Sequence, residues 1–403
     1  MTVRNTKSTI KFDSGIIVGN IIFMKKMTLE SVRRLFPVVE RLVYFNHAGT
    51  GPLPVTVMRA MTGFIRKAVR AGEVKYVEAE KVVAETRVLA AHLFGVKPEE
   101  IAFVKNTSSG IIIAIGSIPW EDEDNLIMMK DAFPANSYPY HLLLPEVEKR
   151  FVSATELAEG PECIFRLVDK HTRAIALDWV HFLSGARFDI GAIGAFCQKN
   201  DIYFIVDAIQ GLGVLNENFS RIGADFVVAG GGKWLLAPQG IGLLYVNLRK
   251  LPMLRPYNLG WLSALWDDFN HCFAPKPLKK TASRFEEGTK NYIGIYGLGA
   301  ALKLLLGFGL KNIESRVLEL TRILRDKLKS VGFEIMTPEP DERRAGIITC
   351  RKSGKDMAVV HRQLEEAGYS CALRENWLRI APHFYNTEEE IERFVGQIKN
   401  FAI

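Results

Sequence analysis

Two short apolar runs, each ending in chemically useful residues, constrain this chain more than any other feature. The first, at 202–206, ends in Asp207; the second, at 226–229, ends in Gly230, Gly231, Gly232 and Lys233. Short apolar runs bounded by turn residues read as buried strands. In an open α/β sheet the C-terminal strand ends converge on one crevice, so the acid and the lysine can reach the same small molecule. A lysine held against low-dielectric walls sheds part of its charge and can form a Schiff base. A carboxylate facing it could keep a pyridine nitrogen protonated, the arrangement that an electron sink such as pyridoxal 5′-phosphate (PLP) needs. A phosphate-binding loop fits less well, because Trp234 stands where Ser or Thr is required and the four-residue spacer between glycines is missing. A tight turn carrying a solvated lysine satisfies the local pattern equally.

Length and charge narrow the class. At 403 residues, with 48% hydrophobic and 24% charged residues, the chain can build a large core and a smaller second unit. Its net charge of +7 favours anionic ligands. The basic residues are scattered, so nucleic acid is not expected as a partner. Five cysteines at 163, 197, 272, 350 and 371 form no CxxC pair and no Cys/His metal spacing. This predicts a reducing, cytoplasmic setting without a disulfide framework or a metal site. No apolar run is long enough to span a bilayer. The apolar stretch at 15–24 faintly resembles a signal sequence, but it is short and carries Asn20, so residues 1–27 are expected to be a loose tail.

From 101 onward strand patterns at 101–104, 125–129, 174–179, 202–206, 226–229 and 242–246 alternate with helical ones. Two amphipathic helices at 55–71 and 76–94 precede them. Alternation of this kind implies a mostly parallel sheet with helices on both faces. A helical stretch at 297–331 then leads into a smaller α+β unit with strands near 333–336, 347–351, 370–373 and 378–380. The expected organisation is an N-terminal segment at 28–45 that packs with the small domain, a large domain at 46–296, and a linking helix plus small domain at 297–403.

Eight segments in order carry a resemblance: YFNHAGTGPLP (44–54), NTSSG (106–110), DAFPAN (131–136), DWVHFLSGARFDI (178–190), VDAIQGLG (206–213), ADFVVAGGGKWLLAPQGIGLLYV (224–246), RFEEGT (284–289) and LRIAPHFYNT (378–387). With these segments the chain resembles the class V aminotransferase family of fold-type I PLP enzymes, which includes cysteine desulfurases, kynureninase and isopenicillin N epimerase-like proteins. The resemblance implies a large domain with a seven-stranded, mostly parallel sheet and a small α+β C-terminal domain. It implies PLP carried on Lys233 as a Schiff base, with Asp207 on the pyridine nitrogen and Gln210 on the ring hydroxyl. Thr107 and Ser108 would hold the phosphate at a helix start. Phe133 would stack on the ring. Thr289 would reach the phosphate of a neighbouring subunit, so the sites would be shared in a homodimer. Arg379 would clamp the α-carboxylate of a small amino-acid substrate. Lys233 would then move protons at the substrate Cα, and aminotransferase, lyase and epimerase outcomes all begin there.

The chain also departs from the pattern. Many relatives carry Ser and His where Gly230 and Gly232 stand, which leaves fewer side chains for the phosphate, although Gly232 keeps a backbone N–H to offer. A cysteine desulfurase needs a thiolate on a mobile loop. The nearest cysteine to Arg379 is Cys371, in a strand pattern, and reads as a packing residue. His181 is a candidate substrate ligand or acid–base group, and equally a structural histidine. His47 and Tyr257 are further candidates for substrate contact. A non-catalytic binding or scaffold protein on the same fold is the remaining alternative.

Overall fold

A computed structural model describes residues 27–266 and 274–401; the expected tail therefore lies almost wholly outside the described residues, as does Cys272. The large sheet has seven strands: β1 (Ile101–Val104), β2 (Asn125–Met129), β3 (Glu148–Val152), β4 (Thr172–Asp178), β5 (Tyr203–Asp207), β6 (Phe226–Gly230) and β7 (Gly242–Val246). Their spatial order is β1-β7-β6-β5-β4-β2-β3, and only β7 runs antiparallel to its neighbours. Alternate residues of one strand enter opposite cores. Phe204 and Val206 of β5 join one apolar cluster and Tyr203 and Ile205 the other. A sheet covered on both faces needs such continuous apolar strands, which is why they read so clearly in the sequence. The edge strand β3 escaped that reading because Glu-Lys-Arg-Phe-Val is largely polar and partly exposed.

Helices α1 (Val55–Ala71) and α2 (Tyr76–Phe94) match their expected bounds, and α3 (Thr107–Ser117) follows β1 directly. Helix α4 (Ile190–Lys199) joins β4 to β5. The expected single stretch at 297–331 is instead two helices, α5 (Tyr292–Phe308) and α6 (Leu310–Ser330), bent by 79° at their junction. Gly309 sits there at φ 95°, a conformation that L side chains rarely adopt. Ile313 and Val317 of α6 enter the large core, whereas Leu320, Leu324 and Leu328 enter the small one, so the cores meet inside this helix. No single helix among the described residues is long and apolar enough to cross a membrane.

The small sheet is antiparallel, in the order β10-β11-β9-β8, from β8 (Glu334–Ile335), β9 (Ile348–Arg351), β10 (Ala372–Arg374) and β11 (Trp377–Ile380). Helices α7 (Met357–Glu366) and α8 (Glu388–Phe401) flank it. Val43–Tyr44 pairs in parallel with Tyr369–Ser370, which ties the N-terminal segment to this domain, while Val32 and Phe36 insert into the large core.

Candidate active site

Strands β4, β5 and β6 end side by side, with Asp178 in register with Asp207 and Asp207 with Val228. Lys233 leaves this edge on a tightly held loop. Gly51 N donates to Gly232 O at 2.9 Å and Leu236 N to Lys233 O at 3.0 Å. A Cβ at Gly51 would lie 2.2 Å from Lys233 O, so only glycine lets the 44–54 segment back this loop. The next residue, Trp234, is wholly buried; its indole N–H donates to Gln210 Oε1 at 2.8 Å.

The lysine side chain enters a cavity of about 320 Å³ walled by Phe133, Phe182, Asp178, Asp207 and the start of α3. Its Nζ lies 5.6 Å from the Phe133 ring centroid, and that ring is 47% exposed. Burial lowers the Lys233 pKa to about 8; Asp207 opposes the shift and Arg379 adds to it. The amine is therefore partly neutral near neutral pH. Burial pushes Asp207 up to about 6, held there by the Ile209 N–H (2.8 Å to Oδ1), by Lys233 and by Asn136. At neutral pH Asp207 remains an anion.

Thr107 and Ser108 open α3, where the first backbone N–H groups have no intrahelical acceptor. Asn106 caps the helix from Ser109 N at 2.9 Å, and Thr107 Oγ1 accepts from Gly230 N at 3.0 Å. Thr107 therefore secures the end of β6 as well as facing the cavity. Gln210 donates to Ala48 O at 3.1 Å, which leaves one amide hydrogen free of these two contacts. Arg379 is 3% exposed; one terminal nitrogen donates to Phe182 O at 2.8 Å, while its buried Nε has no partner among the described residues. Burial, and then Arg374, lowers its pKa to about 10.

Arg379 and five other expected site residues do not line this cavity. His181 does not wall the cavity: Nδ1 accepts from Ser184 within its own loop, and Nε2 donates to Asp131 O at 3.0 Å, tying that loop to the turn after β2. His47 is fully buried, with Nδ1 on Ala381 O at 2.8 Å and Nε2 on Tyr385 Oη at 2.7 Å. Tyr257 packs on α3 at Gly116, where a Cβ would meet its ring at 2.6 Å. Thr289 lines a separate cavity of about 140 Å³ beside Gly240, Lys290 and Asn291. A Cβ at Gly232 would lie 3.0 Å from Gln239 Cγ, so Gln239 fills the space a larger residue would take. Conversely, Asn136 and Asp178 joined the site without having been assigned a role. The readable signal for Asp178 was an acid ending a strand next to the one ending in Asp207.

Cys371 is 3% exposed within the small-domain core, and burial raises its pKa to about 12. Between it and Arg379 the chain makes only a two-residue turn, Glu375 (φ 50°) and Asn376 (φ 62°), which joins β10 to β11. No mobile loop exists there.

The cofactor implied by the resemblance suits these donors. A near-neutral amine, an exposed aromatic face beside it, a buried anion and an open helix start surround one cavity, and an unpartnered guanidinium nitrogen lies buried nearby. The fold and this lysine-bearing site define a class, and the family follows from comparison. The aminotransferase class-V model matches residues 43–394, and the chain belongs to that family. A probable cysteine desulfurase of Methanothermobacter thermautotrophicus is 29% identical, across 95% of this chain and 99% of the relative. An uncharacterized aminotransferase of Bacillus subtilis, YcbU, is 25% identical across 92% and 97%. Among solved structures, C-DES with glycine covalently linked to its PLP cofactor superposes with a TM-score of 0.85 at 22% identity, covering 92% of this chain and 99% of that one. The apo cysteine desulfurase of Thermococcus onnurineus NA1 gives 0.82 at 23% identity, covering 94% and 99%. Both show the fold.

Proposed function

We propose that the chain is a PLP-dependent enzyme acting on the Cα of a small amino acid. One observation carries this reading: a buried lysine of lowered pKa shares its cavity with Asp207 and an exposed aromatic ring. When bound, PLP draws away the electron pair left at Cα as a bond there breaks. The remaining work belongs to side chains. Lys233, partly neutral, supplies the amine and later takes or returns the proton at Cα. Asp207 would balance a positive pyridine nitrogen, and Phe133 would support the ring. The N–H groups of Thr107 and Ser108, at the open start of α3, would hold the phosphate, and the amide hydrogen of Gln210 left over from its bond to Ala48 O would serve the ring hydroxyl. Arg379 offers its unpartnered Nε to the substrate carboxylate, fixing which bond at Cα lies over the ring. Thr289, outside its own chain's cavity, is assigned to the phosphate of a second copy, as in a homodimer.

Within the family the absence of a loop between Cys371 and Arg379 favours aminotransferase, lyase or epimerase chemistry over desulfuration onto a protein thiol. C-DES is described as a cystine C–S lyase, and such chemistry needs no protein thiolate. A scaffold role would not require Lys233, Asp207 and Arg379 in one neighbourhood. The test is the visible spectrum of PLP-supplemented protein as amino acids are added singly. The reading expects a cofactor band that shifts with a subset of them; conversion to the pyridoxamine form would specify transamination. A wild-type protein that shows no bound cofactor band would overturn it.

A further inference from the structure

Asp178 is a buried acid for which the function above has no use. It ends β4 beside Asp207, and adjacent strands lie about 4.8 Å apart. The two carboxyls are 4% and 5% exposed. Asn136, itself buried on the Pro134–Asn136 turn, links them: its amide nitrogen donates to Asp178 Oδ1 and, at 2.9 Å, to Asp207 Oδ2. An amide has two hydrogens, so each acid receives one.

Two carboxylates this close in a low-dielectric wall do not both ionise. Their donor sets are unequal. Asp207 also accepts the Ile209 N–H at 2.8 Å, whereas among the described residues Asn136 is the one donor to Asp178. The anion is better supported on Asp207, and the proton belongs on its neighbour. We propose that Asp178 is held as a neutral carboxylic acid that, through Asn136, positions Asp207 and keeps it the only anion facing the bound ring. This rests on the PLP reading for its purpose but not for its chemistry.

The other groups facing Asp178 agree. Burial and the Asp207 charge both drive its pKa well above the usual carboxylate range, Asp131 adds to this, and Asn136 and Lys233 oppose it. Tyr140, on the helix Tyr138–Leu143, is wholly buried and feels both acids. Lys233 then faces one negative charge, whereas a charge on Asp178 would act with that on Asp207 to raise its pKa and oppose the lowering by burial.

The test is aspartate 13Cγ NMR of the PLP-free full chain, with the two resonances assigned by their loss in Asp178→Asn and Asp207→Asn. The Asp178 resonance is expected at the protonated-carboxyl shift at neutral pH, and that of Asp207 is expected to titrate near 6. An Asp178 resonance at the carboxylate shift would overturn the proposal. A second readout is PLP affinity by fluorescence. Asp178→Asn, neutral and isosteric, should stay within about twofold of wild type, and Asp178→Ala, which strands the Asn136 amide, should lose about tenfold. An equal tenfold loss in both would mean that the charge is needed, which contradicts the neutral acid. If wild type binds no PLP while the NMR result holds, the function above fails and this assignment stands.

Discussion

The two sides of the Lys233–Trp234 peptide carry similar residue types in opposite states. On the cavity side stand Lys233, Asp207, Asp178 and Phe133, with Arg379 close enough for its charge to act on the lysine. Arg379 has a buried nitrogen without a partner, and the Phe133 ring is half exposed. On the far side His47, His383, Tyr385 and Trp234 are fully buried and mutually satisfied. His383 Nε2 donates to Trp234 O at 3.0 Å and its Nδ1 accepts Phe384 N–H at 2.8 Å, while His47 stacks on the indole at 5.9 Å. Groups whose hydrogen-bonding capacity is filled within the fold hold shape; groups left with capacity next to a cavity are available for chemistry.

The largest separation of the two sides should come from Lys233→Ala. Turnover of whichever amino acid shifts the cofactor band should fall roughly a thousandfold or more, while thermal stability holds or rises, because a buried amine is removed. Melting by circular dichroism beside a turnover assay checks both halves. Next, Arg379→Met should lower kcat/KM for α-amino acids by about 10–100-fold and leave amines without a carboxylate nearly unaffected. Equal losses for both substrate types would place Arg379 with the far side.

Gly51→Ala should act in the other sense. Its new Cβ would crowd Lys233 O, at a cost of about 1–3 kcal/mol in urea unfolding. The histidines add a pH signature. Burial lowers the His383 pKa from the usual histidine value of 6.5 to about 4. Between these values the unfolded chain binds more protons than the folded one, so stability rises with pH and is lost as pH falls through that window. His383→Gln keeps a donor and an acceptor but cannot titrate. Unfolding free energy in this variant should fall less steeply with acid, a difference of up to about 3 kcal/mol by pH 4. Asp207, with its raised pKa, works in the opposite sense but is common to both proteins. Smallest of all, Cys371→Ala should change turnover by less than about twofold and cost about 1 kcal/mol of stability. A large loss of activity would restore a thiol to the mechanism.

These contrasts also explain what the sequence made legible. The central strands, the Gly-Gly-Gly-Lys turn and the Asp207–Lys233 pairing were readable because they depend on local apolar runs and on strand ends that must converge. The β3 edge and the bend at Gly309 were not, because a polar edge strand lacks the apolar run and one glycine inside a helical pattern is ordinarily tolerated. Yet α5 is apolar all round and α6 amphipathic, a change of character that marks the junction. The histidines show the harder limit. Sequence identifies His47 and His181 as able to bind or transfer a proton, but only the fold reveals that Ala381, Tyr385, Asp131 and Ser184 already occupy their nitrogens. Asp178 is the converse case: its place at a strand end was readable, but its role emerged only when register set it beside Asp207.

The most direct test of the account is borohydride reduction of the PLP-loaded protein followed by peptide mapping. The account predicts one PLP group fixed per chain, on the peptide carrying Lys233, and none after Lys233→Ala. No fixed cofactor, or a cofactor fixed on another lysine such as Lys290 beside Thr289, would contradict the assignment of Lys233 as the reactive amine.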